Sequence, residues 1–183
     1  TSSSKGVLVD VSTGTVIAQA TIAHDVQRPR AGHVEMDGRI WWAEFVQLTR
    51  ELLAAASASQ LEVEIAAVGV SGMGPCVLLA DDADEPVRPA ILYGVDTRAT
   101  AQIDRMTDEL GVAEITRVGG STLTTQAGGP KIVWIADEEP AAYAAARRLF
   151  MPASWLARHL TGAYVLDHQS ASQVSPLYDV ERE

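Results

Sequence analysis

The sequence predicts one α/β domain in which a sheet is flanked by helices. Strand candidates crowd the first half of the chain and helix candidates the second, a distribution suited to a single α/β unit with mixed pairing. One run, Ile65-Ala66-Ala67-Val68-Gly69-Val70, is apolar without alternation, as expected of a strand covered on both faces. The bulk composition agrees: 183 residues, 47% hydrophobic and 21% charged, suffice for one sizeable core and do not describe a disordered chain.

In chain order, Gly6–Asp10 and Thr15–Ala20 read as two strands joined through the turn signal Ser12-Thr13-Gly14. The segment Arg28-Pro29-Arg30-Ala31-Gly32-His33 is a loop marked by Pro and Gly. Asp37 offers an N-cap to a helix whose apolar stripe is Trp41, Phe45, Leu48 and Leu52. The Ile65–Val70 strand ends in the loop Ser71-Gly72-Met73-Gly74-Pro75, and open α/β sheets bind ligands at such strand ends. Cys76–Leu79 and Ala90–Tyr93, separated by Asp81-Asp82 and Pro86, suggest a hairpin. Asp96 offers an N-cap to a helix with stripe Ala99, Ile103, Met106 and Leu110 and a stop at Gly111. Pro130 suits the first turn of a helix carrying Ile132, Val133 and Ile135, and Pro140 opens another through Ala146. Ser154 is placed to cap Trp155–Leu160, which stops at Gly162.

Several function classes are disfavoured. A balance of 14 basic against 24 acidic residues, net −10, argues against a nucleic-acid or anionic-membrane surface. No apolar run reaches membrane-spanning length, and no signal peptide is visible. The single Cys76 excludes an internal disulfide and fits a reducing, cytoplasmic setting. The four histidines lack HExxH spacing, so no metal site is expected. Gly-x-Ser-x-Gly, Walker A and Gly-x-Gly-x-x-Gly patterns are all missing.

The segment Thr1-Ser2-Ser3-Ser4-Lys5 has the chemistry of an anion turn: hydroxyls, backbone N–H groups and an ammonium can all face a phosphate. On its own it equally suits an exposed chain end.

Read in order, several segments resemble the FGGY family of carbohydrate kinases. Thr1–Lys5 is similar to the tail of that family's Asp-x-Gly-Thr-x-Ser-x-Lys/Arg phosphate motif. Pro29-x-x-Gly32-His33-Val34-Glu35-Met36-Asp37 with Trp41-Trp42 resembles its Pro-x-x-Gly-x-x-Glu and Trp-Trp stretch. Val68-Gly69-Val70-Ser71-Gly72 resembles its buried strand and substrate loop, and Pro89-Ala90-Ile91-Leu92 with Asp96-x-Arg98 its Pro-Ala-Ile-Leu and Asp-x-Arg segment. Pro130-Lys131-x-x-Trp134, Leu160-Thr161-Gly162 and Asp167-x-x-x-Ala171-Ser172 complete the series. The xylulokinase-like branch is the most similar.

The resemblance implies a ribonuclease-H-like (actin-like ATPase) mixed sheet flanked by helices, here the N-terminal, sugar-binding domain of a two-domain kinase over residues 1–183, truncated at both ends. It implies ATP and Mg²⁺ as cofactors and a ketose or polyol, xylulose-like, as acceptor. Nucleic acid and membrane are not implied as partners, and a homodimer is left open. Carried over by motif, Thr1, Ser2, Ser3 and Lys5 hold the ATP phosphates, while Met73, Gly74, Pro75, Asp96, Arg98 and Gln126 contact the sugar. No residue here is assigned to Mg²⁺, and the catalytic base is expected beyond Glu183. The loop departs from the xylulokinase pattern Ser-Gly-Gln-Met-His-Gly, since Met73, Gly74 and Pro75 stand where polar contacts are usual.

Competing readings stay open for several residues. Asp96 is also a good helix cap with Arg98 in the first turn, Gln126 also suits a loop residue bonding its own backbone, and Lys131 either neutralises charge near the cleft or, the favoured reading, solvates a helix start. For the whole chain, a non-catalytic sugar-binding or regulatory module with the same half-fold is the alternative to a kinase. Another actin-like ATPase is a weaker one.

Overall fold

A computed structural model describes residues 2–182, so Thr1, the first of the phosphate candidates, lies outside the described residues. The chain opens with the expected hairpin, β1 (Ser3–Val9) antiparallel to β2 (Val16–Ala23). The hydroxyl segment expected as a turn is strand instead: Ser3, Ser4 and Lys5 pair with Ala23, Ile22 and Thr21. Alternation then splits this segment between two faces. Ser4 turns toward helix α1 (Arg39–Ala58), where its Oγ donates to Glu44 at 2.6 Å, while Lys5 is exposed. His24 Nδ1 closes the same cluster against Glu44 at 2.9 Å.

The remaining strands are short: β3 (Glu35–Met36), β4 (Leu78–Ala80), β5 (Ala90–Ile91) and β6 (Arg148–Phe150). Bridges join them edge to edge in the order β3, β5, β4, β6, with Val77 and Ile91 exchanging both backbone hydrogen bonds at 2.9 Å. The anticipated pairing of the 76–79 and 90–93 runs is therefore present, and every pairing among the described residues is antiparallel. Both faces of this ladder are buried. Cys76, Leu78, Ala80, Ala90, Leu92 and Phe150 pack with Trp41 of α1 and Trp155 of α6 (Pro152–Thr161). Val77, Leu79 and Ile91 pack with Ile135 of α4 (Gly128–Glu138) and Ala142 of α5 (Pro140–Ala145). Helices α2 (Thr100–Leu110) and α3 (Val112–Gly119) add a satellite core of Met106 and Ile115, and α7 (His168–Ser172) follows near the chain end.

Four expectations are corrected. Ile65–Val70 is neither strand nor buried: residues 62–70 make no backbone pairing among the described residues, with Ile65 48% and Val68 52% exposed. An apolar run becomes a strand only beside a neighbouring edge, and none adjoins this one. The doubly covered strand signal is realised at Cys76–Ala80 instead. The N-cap of α1 is Gly38 rather than Asp37, although Asp37 Oδ1 still accepts from Arg39 N at 3.0 Å. Asp96 caps no helix, since α2 begins four residues later behind Ala99. Ser154 is the third residue of α6 rather than its cap, and its Oγ accepts from Met151 N at 2.9 Å. The Gly111 stop of α2 is met, with φ of 80° there.

Gly38, the N-cap of α1, lies close against the ladder: a Cβ added there would lie 2.6 Å from Leu78 Cδ2. Gly38→Ala is therefore expected to destabilise the intact protein by about 1–3 kcal/mol through overpacking, read as a lowered urea midpoint with unchanged slope. An unchanged midpoint would mean that helix and ladder separate more easily than this packing indicates.

Candidate functional site

The 29–36 stretch, the 88–98 stretch and α4 meet in a buried network of charges. Arg98, its side chain fully buried, donates to both carboxylate oxygens of Asp96 (Nε to Oδ1 at 3.0 Å, Nη2 to Oδ2 at 2.8 Å) and to Glu35 Oε1 (2.6 Å). Arg88 reaches the same Glu35 oxygen at 2.6 Å and extends the network to Glu139 at 2.6 Å. Asp96 also accepts from the Val34 backbone N–H at 2.6 Å, which explains why it is unavailable as a helix cap. Beneath the network, the Trp134 ring lies 4.7 Å from the Arg98 guanidinium, with His33 edge-on at 5.4 Å.

Each charge here is paired, as burial demands. Burial alone would raise the Glu35 carboxyl, but the Arg98 and Arg88 guanidiniums outweigh it and hold that carboxyl below its ordinary value. The His33 imidazole is pushed down by burial and by Arg98.

Beside the network stands Lys131, only 1% exposed, so the solvated helix-start reading of this residue is overturned. Its Nζ donates to Thr125 O at 2.8 Å, and burial pushes its pKa down. This bond fixes the Thr124–Gln126 turn, where Gln126 N also donates to Thr124 Oγ1 at 3.2 Å. From that turn the exposed Gln126 accepts from Tyr93 Oη at 3.3 Å. Charge alternation could not reveal a buried lysine here; the signal was its place among apolar neighbours, after Pro130 and before Ile132-Val133.

The expected site residues fall into groups. Ser3, Lys5 and Met73 line one cleft of about 710 Å³ between β1, α1 and the 65–73 segment. It is polar where Ser3, Ser4, Lys5, His24, Thr49 and Ser71 line it and apolar where residues such as Leu8, Leu48, Leu52, Ile65 and Val68 do. Ser2 is exposed beside it, and its carbonyl accepts from His24 N at 3.0 Å. Among the sugar candidates, Met73 and Gln126 are exposed and Gly74 half-buried, whereas Pro75, Asp96 and the Arg98 side chain are buried. Asp96, Arg98, Gly74 and Gln126 do not line the cleft. Cys76, directly below the loop, is buried and its thiol is pushed up by burial, as suits an inert core residue. No group of three or more His, Cys, Asp or Glu side chains among the described residues is placed to hold a metal ion. No helix among them is long and apolar enough to cross a membrane.

Residues 1–183 match the FGGY family of carbohydrate kinases, N-terminal domain, over their whole length. The chain belongs to this family. It is 35% identical over 173 residues to the xylulose kinase of Streptomyces rubiginosus, covering 94% of this chain and 34% of that protein. It is 36% identical over 172 residues to the glycerol kinase of Nocardia farcinica, covering 87% of this chain and 32% of that protein. The chain thus spans about a third of the length of the curated relatives it matches. The crystal structure of xylulose kinase from Rhodospirillum rubrum superposes with a TM-score of 0.91 at 27% identity, over 98% of this chain and 36% of that one. Plasmodium falciparum glycerol kinase with ADP, at 20% identity, shares the fold with a TM-score of 0.89. The architecture is accordingly the N-terminal domain of the actin-like ATPase fold of FGGY kinases.

The charge network yields a prediction with a definite sign. A carboxyl held low in the folded state stabilises fully above its ordinary, unfolded value and loses that contribution as pH falls through the lowered folded value. Denaturation followed from neutrality down to about pH 3 is expected to show this acid loss. Glu35→Ala removes that part of the pH dependence and, by taking one of two carboxylate partners from each of Arg88 and Arg98 while Glu139 and Asp96 stay paired with them, lowers stability at neutral pH by about 1–3 kcal/mol. A variant as stable as the parent at pH 7 would show that the network contributes nothing to holding these segments.

Proposed function

We propose that the intact protein is an ATP-dependent kinase that moves the γ-phosphoryl of ATP to a hydroxyl of a ketose or polyol, xylulose-like. In this reading residues 1–183 belong to its N-terminal, sugar-binding domain, which continues past both ends. The observation that carries it is the shared cleft: two phosphate candidates, Ser3 and Lys5, and one sugar candidate, Met73, line the same space. Family membership and the xylulose and glycerol kinases among its relatives support the same reaction class.

Phosphoryl transfer asks a protein mainly to position phosphates and neutralise charge. When bound, ATP supplies the transferable group and Mg²⁺ neutralises its phosphates. The exposed Lys5 ammonium and the hydroxyls of Ser2 and Ser3 fit an anion, and Thr1 is proposed to join them. Ser4 is excluded because Glu44 holds its hydroxyl. Met73, Gly74 and Gln126 are proposed to face the sugar. Pro75, Asp96 and Arg98 are proposed to act from beneath, the ion pair keeping the 93–98 loop in place. The catalytic base and the Mg²⁺ ligands are proposed to lie outside this chain. The apolar part of the cleft lies between the outer edge of β1 and the unpaired 62–70 segment, a setting suited to one more strand. We assign that place to residues ahead of Thr1 in the intact protein. A homodimer is part of the same proposal and is read by light scattering.

The test is ADP release by the intact protein over a panel of pentuloses, hexuloses and polyols. Turnover stimulated by at least one of them is expected, and no stimulation by any would overturn the kinase reading in favour of a non-catalytic sugar-binding module. Lys5→Ala is expected to raise KM for ATP at least tenfold while sugar affinity by calorimetry stays within twofold. Equal loss of both would remove the phosphate role from β1.

A further inference from the structure

The loop Gly72-Met73-Gly74-Pro75 carries no polar side chain, so a polyol at this position would find there only backbone groups and a thioether. A polar group from elsewhere reaches the gap. A Cβ built on Gly74 would stand 2.8 Å from Gln173 Oε1, so the amide of Gln173 occupies the space that a side chain at position 74 would take. The backbone of Gln173 is held firmly. Its N–H donates to Ser170 O at 3.2 Å, and its carbonyl accepts from Gly128 N at 2.9 Å, two residues past Gln126. Its flanking residue Val174 is buried. The side-chain amide, by contrast, makes no hydrogen bond among the described residues. A residue with pinned backbone and unengaged amide thus bridges the Met73–Pro75 loop and the start of α4, next to the Gln126 turn.

We propose that Gln173 is a specificity-determining residue that touches the sugar. Its amide, able to donate and accept at once, supplies the hydroxyl contacts that Met73, Gly74 and Pro75 lack. Position 74 is glycine because the amide needs that space. Gln126, two residues before the Gly128 whose N–H the Gln173 carbonyl accepts, would be a second amide for the sugar, its oxygen already accepting from Tyr93. Neutral amides suit a polyol or ketose better than an anionic acceptor. This assignment rests on the sugar-kinase reading above.

The test uses the intact protein, with steady-state kinetics and direct sugar titration by calorimetry across the same panel. Gln173→Ala is expected to raise KM for the preferred sugar roughly tenfold, the loss of one or two hydrogen bonds, with KM for ATP within twofold. Gly74→Ala pushes the flexible amide aside and asks only a few tenths of an ångström of Met151 Sδ, which would lie 3.3 Å away, so it is expected to reproduce the same loss. Added to Gln173→Ala it is expected to cost no more than a further twofold, because the group it displaces is already gone. Thermal melts within a few degrees of the parent establish that the variants fold. Gln173→Ala with an unchanged sugar profile in an active, sugar-binding parent overturns the assignment alone. Independent, additive effects of the two substitutions overturn the claimed link between them. A parent that neither binds nor turns over any sugar of the panel overturns this assignment and the kinase reading together.

Discussion

Glu35 accepting from two arginines is the contact on which the arrangement of this domain rests. One carboxylate oxygen receives Arg88 from the strand entry before β5 and Arg98 from the loop after it, both at 2.6 Å. Asp96 completes the pairing of Arg98 and holds the Val34 backbone, while Glu139 ties Arg88 to the end of α4. Buried ions are a poor source of net stability compared with apolar packing, because desolvation opposes their attraction. Their value here is geometric: with every donor and acceptor matched, the 29–36 and 88–98 stretches have one arrangement that leaves no charge unpaired. Trp134 supports the guanidinium from below, so the same network orients α4.

The exposed groups proposed to read a sugar all stand on this base. Tyr93 leaves the ladder just after β5 and reaches Gln126; Lys131, buried under the same loop, pins the turn that carries it. Met73 and Gly74 sit above Cys76, whose strand is buried on both faces. Rigid apolar strands beneath and irregular loops above is the usual division between scaffold and binding surface. The acidic character of the chain as a whole does not conflict with the proposed anionic cosubstrate, because an exposed cation at the cleft such as Lys5 acts locally.

The sequence made some of this legible and hid the rest for identifiable reasons. The apolar stripe of α1, the Pro140 start of α5 and the Gly111 and Gly162 stops depend on local chemistry, and all are present in the fold. The strand expected at Ile65–Val70 depends on a neighbour that local pattern does not contain. The same continuous apolar signal at Cys76–Ala80 found its neighbours in β5 and β6. Asp96 has the residue type of a cap, but a partner 62 positions away claimed its carboxylate. Lys131 looks like a surface residue by type and is buried because Thr125 O offers it an acceptor. Gln173 lies one residue beyond the Ala171-Ser172 pair, and only the approach of Gly74 in space reveals it. The ordered series of family-like motifs is what nominates phosphate and sugar segments, yet it could not show that Ser4 turns toward Glu44.

Hydrogen exchange of the intact protein, with and without its preferred sugar, tests most directly the central claim that the network-supported loops form the sugar site. Backbone amides of residues 72–76, 93–98, 124–128 and 172–175 are expected to gain protection together on adding sugar, with β1 unchanged until nucleotide is present. Protection confined to other surfaces, or gained at β1 by sugar alone, would contradict the account.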